Sequence, residues 1–337
     1  MEPMKRVKFL ASTIVAEVAP ELGLEVHIEP KYGYVGQIKT KDGRYFYFRN
    51  TSFDLNGQGS SDNAKDKGYA SYFMKRLGYP VPIGKAFYSD KWVKITKSKQ
   101  NIKEACKYAQ NLGYPLIVKP NSKSQGVGIE KVYTEKDLIS ALRVVFNDVK
   151  DHVAIVQRFI EGSDYRIVTL DKEIIAAYRR LPLSVVGDGV KSIRQLLESK
   201  QKQFSKIGRD TIIKLDDPRI TRKMKRLRLN YDTVVGKNEV VQLLDNANLS
   251  TGGDAEDVTE IMHQSYKAMA IKLAHDMGLR YSGIDIITKS PIEESIRDYF
   301  VIEINAAAGL DYYVGLGEKQ NELVREMYKK VLTTMTK

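Results

Sequence analysis

The sequence predicts a mixed α/β (α+β) fold built from more than one unit. Three observations carry this expectation. Amphipathic helical stretches alternate with short apolar strands such as PLIVK, SGIDIIT and VIEIN. Turn and breaker residues, among them Asp42-Gly43 and the pair Gly78 and Pro80, punctuate these stretches. The chain has 337 residues, 42% hydrophobic and 28% charged, an ordinary globular balance with room for two or three small units. No apolar run approaches the ~18 residues that a membrane span needs. One cysteine excludes an internal disulfide framework, and the four histidines (His27, His152, His263, His275) form no HExxH pair. A cytoplasmic protein is expected.

The elements follow in order. Lys5, Arg6 and Lys8 precede an apolar stretch from Phe9, but Glu17 interrupts it, and Phe9, Ile14, Val18 and Leu22 suit an amphipathic helix rather than a signal peptide. GLEVHIEP reads as a strand, and GYVGQIKTKDGRYFYFRN as a hairpin around Asp42-Gly43. Phe53 to Lys67 is polar and reads as a loop or linker. GYASYFMKRLG is a helix stopped by Gly78 and Pro80. Ile102 to Leu112 is another, placing Cys106 on an apolar face as a core thiol. YPLIVKPNSKSQGVGIEKVYT reads as strand, small-residue loop, strand. Asp137 to Val149 is expected as a helix and His152 to Phe159 as a strand. DKEIIAAYRRLP suits a hairpin partner strand, and Gly187 to Val240 is expected to be basic and helical. A long helix is predicted over Val258 to Met277, then strands YSGIDIIT and YFVIEINAAAG, then a last helix from Glu318 to Thr333.

Charge narrows the partners. Lys+Arg total 54 against 42 Asp+Glu, a formal net charge of +12, which favours anionic partners. The run RITRKMKRLRL holds six of these cations and no acid. It could contact nucleic-acid phosphates, but no zinc finger, RNP motif or helix-turn-helix pattern accompanies it. A solvated helix face is the simpler reading.

Two constellations carry chemistry. Lys119 ends the strand PLIVK, and Ser122, Lys123, Ser124, Gln125, Gly126, Val127 and Gly128 follow. Glycines let backbone N–H groups approach a phosphate beside a fixed positive charge, although a plain β-turn accounts for the same residues. The spacing is neither a Walker A loop nor a Rossmann fingerprint. Asp285 and Glu303 lie in apolar strands, and period-2 alternation places Asn305 on the same face as Glu303. Two buried carboxylates need a cation or a partner. Two carboxylates and an amide oxygen suit Mg²⁺; Arg or Lys across the sheet would serve as well.

In this order the motifs resemble the ATP-grasp superfamily: Asp66-Lys67 before a helix ending in GYPVP, VKP with its loop, the hinge strand VQRFIEG, then GIDI and VIEIN. DYRIVTLDKEIIAAYRRLPLSVVGDG and NANLSTGGDAEDVT narrow the resemblance to the ATP-grasp regions of cyanophycin synthetases and bifunctional glutathione synthetases. It runs from about Asp66 to about Gly309. It implies two α+β subdomains clasping ATP, with residues 1–65 as a short N-terminal α/β region, 66–160 as the small lid subdomain and 161–337 as the large catalytic one, carrying a basic insertion at 188–240.

The resemblance further implies that Lys67, Lys119 and Lys123 contact ATP phosphates, that the loop Ser122 to Gly128 folds over them, and that the hinge Gln157, Arg158, Phe159 and Ile160 holds adenine. Asp164 would bind ribose hydroxyls. Asp285, Glu303 and Asn305 would hold Mg²⁺, two ions in all, with Mn²⁺ able to substitute. Arg166 and Arg180 would face the transferred phosphoryl and the acyl-phosphate. The implied activity is an ATP-dependent carboxylate–amine ligase acting on amino-acid or peptide substrates, with a glutathione-synthetase-like or purely carboxylate-phosphorylating enzyme as the alternative. A homodimer or homotetramer is implied too. Asn248, Ser250, Gly309 and Asp311 lie on the expected substrate side. There the chain departs from its relatives: NAAAGLDYY replaces an NxxPG pattern, and Leu244 stands where arginine is frequent. These departures put the substrate in question, not the nucleotide chemistry. Asp311 suits either a cationic amine or a simple turn.

Overall fold

The computed structural model describes residues 10–207, 209, 211–314 and 317–337, without the side chains of Asp311 and Tyr312. Lys5, Arg6, Lys8 and Phe9 lie outside the described residues. Helix α1 (Leu10–Val18) leads into an antiparallel meander of β1 (Glu25–Ile28), β2 (Val35–Lys39), β3 (Tyr45–Arg49) and β4 (Ser52–Phe53). Gly43 turns β2 into β3 at φ +85°, a left-handed conformation that glycine adopts without steric cost.

The stretch expected as a loop from Phe53 contains a helix, α2 (Gln58–Lys65). Its sequence is polar and Gly/Ser-rich, so local propensity gives no helix signal; burial of Ala64 against the larger sheet's core holds it. Helix α3 (Lys67–Arg76) begins where Asp66 accepts the Tyr69 N–H at 2.9 Å, an N-cap that fixes Lys67 in the first turn. Ala70 and Met74 pack into that same core.

The smaller sheet comprises β5 (Gly84–Tyr88), β6 (Leu116–Pro120), β7 (Glu130–Val132) and β8 (Val153–Arg158), in the order β5-β8-β6-β7. Helices α4 (Asp90–Thr96), α5 (Ile102–Leu112) and α6 (Glu135–Arg143) accompany it. The α6 helix is shorter than expected, because Val144–Asp148 continues as a π-helical turn. Cys106 is half-buried in α5, and burial pushes its thiol above the ordinary range.

The larger sheet joins β9 (Ser163–Leu170), β10 (Glu173–Leu181), β13 (Asp254–Asp257), β14 (Tyr281–Thr288) and β15 (Tyr299–Asn305), in the order β13-β10-β9-β14-β15. Between β10 and β13 the chain forms a separate unit: β11 (Ser184–Val186) pairs with β12 (Val240–Gln242), and α7 (Ile193–Lys206) and α8 (Pro218–Arg226) pack over them. The helical expectation for 187–240 is met by α7 and α8, with β11 and β12 flanking the segment at its two ends and irregular chain around the helices. Val185 and Val241 pair as strands and share a core with Ile193, Leu197, Ile220 and Met224. Helix α9 (Gln264–Asp276) starts later than Val258: the Val258 N–H still bonds the Ala177 carbonyl of β10, next to the strand Asp254–Asp257, and the His263 side chain caps the helix by accepting the Ser265 N–H. Helices α10 (Asp311–Val314) and α11 (Glu318–Thr336) close the chain.

The larger sheet has two unlike faces. Tyr165, Ile167, Ala177, Ile284, Ile286 and Ile304 point to one side and bury against α9 residues such as Tyr266 and Leu273. Val168, Ala176, Tyr178 and Tyr281 point to the other, against α1, the N-terminal meander and α11. The N-terminal region thus shares its core with the larger sheet. Among the described residues no helix is long and apolar enough to cross a membrane.

Candidate active site

On the second face, where the apolar core gives way, a cleft of ≈ 850 Å³ opens between the two sheets. Strand register places a polar row across its floor. Tyr178 stands opposite Arg166, Arg166 opposite Asp285, and Asp285 opposite Glu303, one residue from each of four adjacent strands. Arg166 grips Asp285 with two bonds, Nε to Oδ1 at 2.6 Å and Nη2 to Oδ2 at 2.8 Å. Arg180 adds Nη2 to Asp285 Oδ2 at 2.9 Å and to Asp164 Oδ1 at 2.6 Å. Asn305 donates to Glu303 Oε1 at 2.9 Å, and Lys67 Nζ stands 3.8 Å from Glu303 Oε2.

These groups hold charge against burial. Burial alone would raise Asp285, but Arg166 and Arg180 outweigh it and hold the carboxyl below the ordinary range. Glu303 is likewise lowered, since Lys67, Lys119 and Arg166 overcome its desolvation. Asp164 goes the other way, raised to about 6 by burial and by the neighbouring charge of Asp285, despite Arg180. Lys119, buried at the end of β6, is pulled down to about 8 by desolvation, with Glu303 opposing and Lys67 assisting.

The donor set fits a hard divalent cation. Glu303, Asp285 and the Asn305 amide offer only oxygen ligands, and the Asn305 N–H is spent on Glu303, leaving its oxygen to coordinate. Among the described residues no group of three His, Cys, Asp or Glu could hold a metal unaided, so an amide oxygen has to complete such a set. The cross-sheet arginine pairing weighed for Asp285 is present as well. A carboxylate offers about four lone-pair sites, so the two are compatible.

The wall above the row is the loop after Lys119. Gln125, Gly126 and Gly128 have φ of 57°, 72° and 68°. A Cβ on Gly126 would stand 2.6 Å from Asn248 Oδ1, so both conformation and space require glycine there. Lys67 Nζ donates to the Lys123 carbonyl at 2.6 Å, which ties two of the three predicted phosphate lysines together. Ser124, Gln125 and Val127 line the cleft beside them.

Gln157, Arg158, Phe159 and Ile160 line the cleft where β8 ends. The N–H groups of Arg158 and Phe159 donate to the Ile83 and Pro115 carbonyls at 2.8 and 3.4 Å, so any purine edge falls to neighbouring atoms of the hinge. Asp164 is bound to Arg180 on the floor. Asn248, Ser250 and Gly309 line the cleft, and Ser250 Oγ reaches the Gln125 carbonyl at 3.0 Å. The side chain of Asp311 lies outside the described residues. Leu244 also lines the cleft but is rooted in the inserted unit's core.

Several residues that position the site are not singled out by the sequence. Asp151 Oδ2 accepts both N–H and Oγ–H of Ser122 at 2.8 Å. Asn121 donates to Asp66 and accepts the Gly68 N–H, locking the start of α3 to the loop. Lys131 Nζ sits 3.4 Å above the Phe159 ring. Tyr178 stacks on Tyr313, whose hydroxyl donates to Asp257 at 2.9 Å. Strand alternation does signal Tyr178, which shares a face with Arg180, and Asn121, which shares one with Lys119.

Two family models match the chain: "D-ala D-ala ligase C-terminus" over residues 73–186 and "RimK-like ATP-grasp domain" over 190–321. The chain is 32% identical over 210 residues to the glutathione biosynthesis bifunctional protein GshAB of Mannheimia succiniciproducens, covering 57% of this chain and 27% of that protein. It is 31% identical to the cyanophycin synthetase of Synechocystis, covering 74% of this chain and 28% of that protein. It therefore spans under a third of the length of these curated relatives. The crystal structure of a bifunctional glutathione synthetase from Pasteurella multocida matches with a TM-score of 0.59 at 22% identity, covering 96% of this chain and 44% of that one. The chain has the ATP-grasp fold, and its residues 190–321 match an ATP-grasp domain.

Proposed function

We propose that this chain is an ATP-dependent carboxylate–amine ligase that joins two amino-acid-like or peptide substrates through an acyl-phosphate. The observation that carries the reading is the row of Arg166, Asp285 and Glu303, set beneath Lys67, Lys119 and a glycine-bearing loop in one cleft. The names of the relatives, a glutathione biosynthesis protein and a cyanophycin synthetase, support the same class.

Lys67, Lys119 and Lys123 would hold the triphosphate, and the loop Ser124 to Gly128 would cover it. Gln157 to Ile160 would take the adenine and Asp164 the ribose. Mg²⁺ held by Asp285, Glu303 and Asn305 would neutralise and orient the phosphates. A substrate carboxylate oxygen attacks the γ-phosphorus and ADP departs; an amine then attacks the acyl carbonyl and phosphate departs. Arg166 and Arg180 each have five N–H donors, more than their carboxylate partners consume, so they can also spread charge on the transferred group. The chemistry needs no protein nucleophile. Closure of the cleft would keep water from the acyl-phosphate.

The test is a phosphate-release screen over pairs of amino acids and small carboxylates, with mass detection. The reading expects ADP, phosphate and a product whose mass is the two substrates less one water. ADP release with no adduct from any pair would refute it. With γ-glutamylcysteine and glycine the departures at NAAAGLDYY and Leu244 predict little turnover.

A further inference from the structure

The basic run from Arg219 has no part in the reaction above, yet four of its side chains line the same cleft. Arg219, Arg222, Lys223 and Arg226 follow an i, i+3, i+4, i+7 spacing and so share one face of α8, while Ile220 and Met224 anchor the opposite face in the inserted unit's core. Every one of the four is met by an acceptor. Arg219 bonds Asp217 at 2.7 Å and the Gly126 carbonyl at 3.1 Å. Arg222 bonds Glu130 at 2.7 Å, and Lys223 bonds Asp245 at 2.5 Å. Arg226 approaches Asp137 at 3.5 Å and lies 4.1 Å over the Tyr133 ring. Gly126, Glu130, Tyr133 and Asp137 all belong to the smaller sheet's side of the cleft. Ser250 and Asn248 meet the same loop at Gln125 and Gly126.

We infer that α8 and residues 246–250 form a clasp that holds the phosphate loop shut from the opposite lobe, with Arg219 as a positioning residue for nucleotide. The inference rests on the reading that this loop cradles a nucleotide. Arg219 draws the Gly126 carbonyl, the negative end of its peptide dipole, toward itself and away from a triphosphate. Arg222 and Arg226 fix the lobe that carries the loop. Four of the run's six cations thus spend their charge within the molecule. Its ion pairs are partly exposed, so the clasp weakens as salt rises.

The experiment uses the full chain and four proteins: the parent, Arg219→Ala, Glu130→Arg and the swap Glu130→Arg/Arg222→Glu. It reads Mg–ADP affinity by calorimetry at low and high salt, and amide hydrogen exchange over residues 122–128 with and without ADP. Arg219→Ala and Glu130→Arg are expected to speed exchange in 122–128, leave α9 protected, and weaken ADP about tenfold, the size of a strong pairwise coupling. The swap should restore both readouts to within about threefold. A variant that merely loosened the fold would speed exchange in α9 as well. Unchanged loop exchange in both single variants, or a swap no better than Glu130→Arg, overturns the clasp. Should the parent protein fail to bind ADP, the nucleotide reading falls, and the exchange rates without ADP still decide the clasp.

Discussion

Lys119 offers a quantitative handle on the site. Its ammonium is buried at the end of β6, and desolvation brings its pKa down from 10.5 to about 8. A triphosphate beside it would favour the charged form and restore a value near the unperturbed one, so nucleotide binding should take up a proton. With a free-state value near 8 and a bound-state value near 10.5, uptake is about 0.1 proton at pH 7, about 0.5 at pH 8 and about 0.9 at pH 9. Affinity should fall as pH rises through 8, by up to about tenfold per unit. The whole shift corresponds to about 3 kcal/mol between the two protonation states. The sign for folding is opposite. The unfolded chain binds more protons between pH 8 and 10.5, so this residue's contribution to stability rises with pH across that window. The assay is ADP titration with Mg²⁺ present, by calorimetry at pH 7, 8 and 9 in two buffers of different ionisation enthalpy. Lys119→Met should abolish the rise in uptake. Uptake independent of pH, or equal in Lys119→Met, would refute the assignment of Lys119 to the phosphates.

Three further outcomes follow from the same geometry. Asp285→Asn leaves two buried guanidinia short of a partner and should cost about 3–5 kcal/mol at pH 7 by thermal or chemical melting; because the Asp285 carboxyl is held low, the variant should also lose part of the acid destabilisation that the parent shows below about pH 4. Glu303→Ala should abolish ADP release with every substrate pair, and because Lys67, Lys119 and Arg166 lose a neighbouring carboxylate it should also lower the melting temperature. Asn56→Ala removes a side chain that bonds Arg280 N, Tyr281 N and O and the Ala306 carbonyl. At about 1 kcal/mol for each of these bonds, its loss should lower stability by about 3–4 kcal/mol, read from the denaturant midpoint.

Much of the site is legible because it obeys the period-2 rule of strands. Asp285 and Glu303 each interrupt an apolar strand, and the register that places them opposite one another also puts Asn305 two residues along on the same face. Lys119 and its small-residue loop are legible as a strand end followed by glycines. What the sequence does not disclose depends on contacts distant in the chain. Nothing local marks Asp254–Asp257 as a strand, since its pairing partner is Tyr178–Leu181. Helix α2 has no intrinsic propensity to betray it and exists through Ala64. Asn56 sits in a polar stretch whose composition speaks only of a loop, though its four bonds reach residues more than 220 positions away. The basic run of α8 is visible as charge, but its partners Glu130, Asp137 and Gly126 lie on another lobe. Charge alone therefore could not separate a nucleic-acid surface, a solvated face and an internal clasp.

The most direct test of the acyl-phosphate is isotopic. The carboxylate substrate found by the screen is labelled with ¹⁸O in its carboxyl group and turned over with ATP and the amine partner. Transfer through an acyl-phosphate predicts one ¹⁸O in the released inorganic phosphate, with ADP as the other product. Unlabelled phosphate, or AMP with pyrophosphate, would contradict the account.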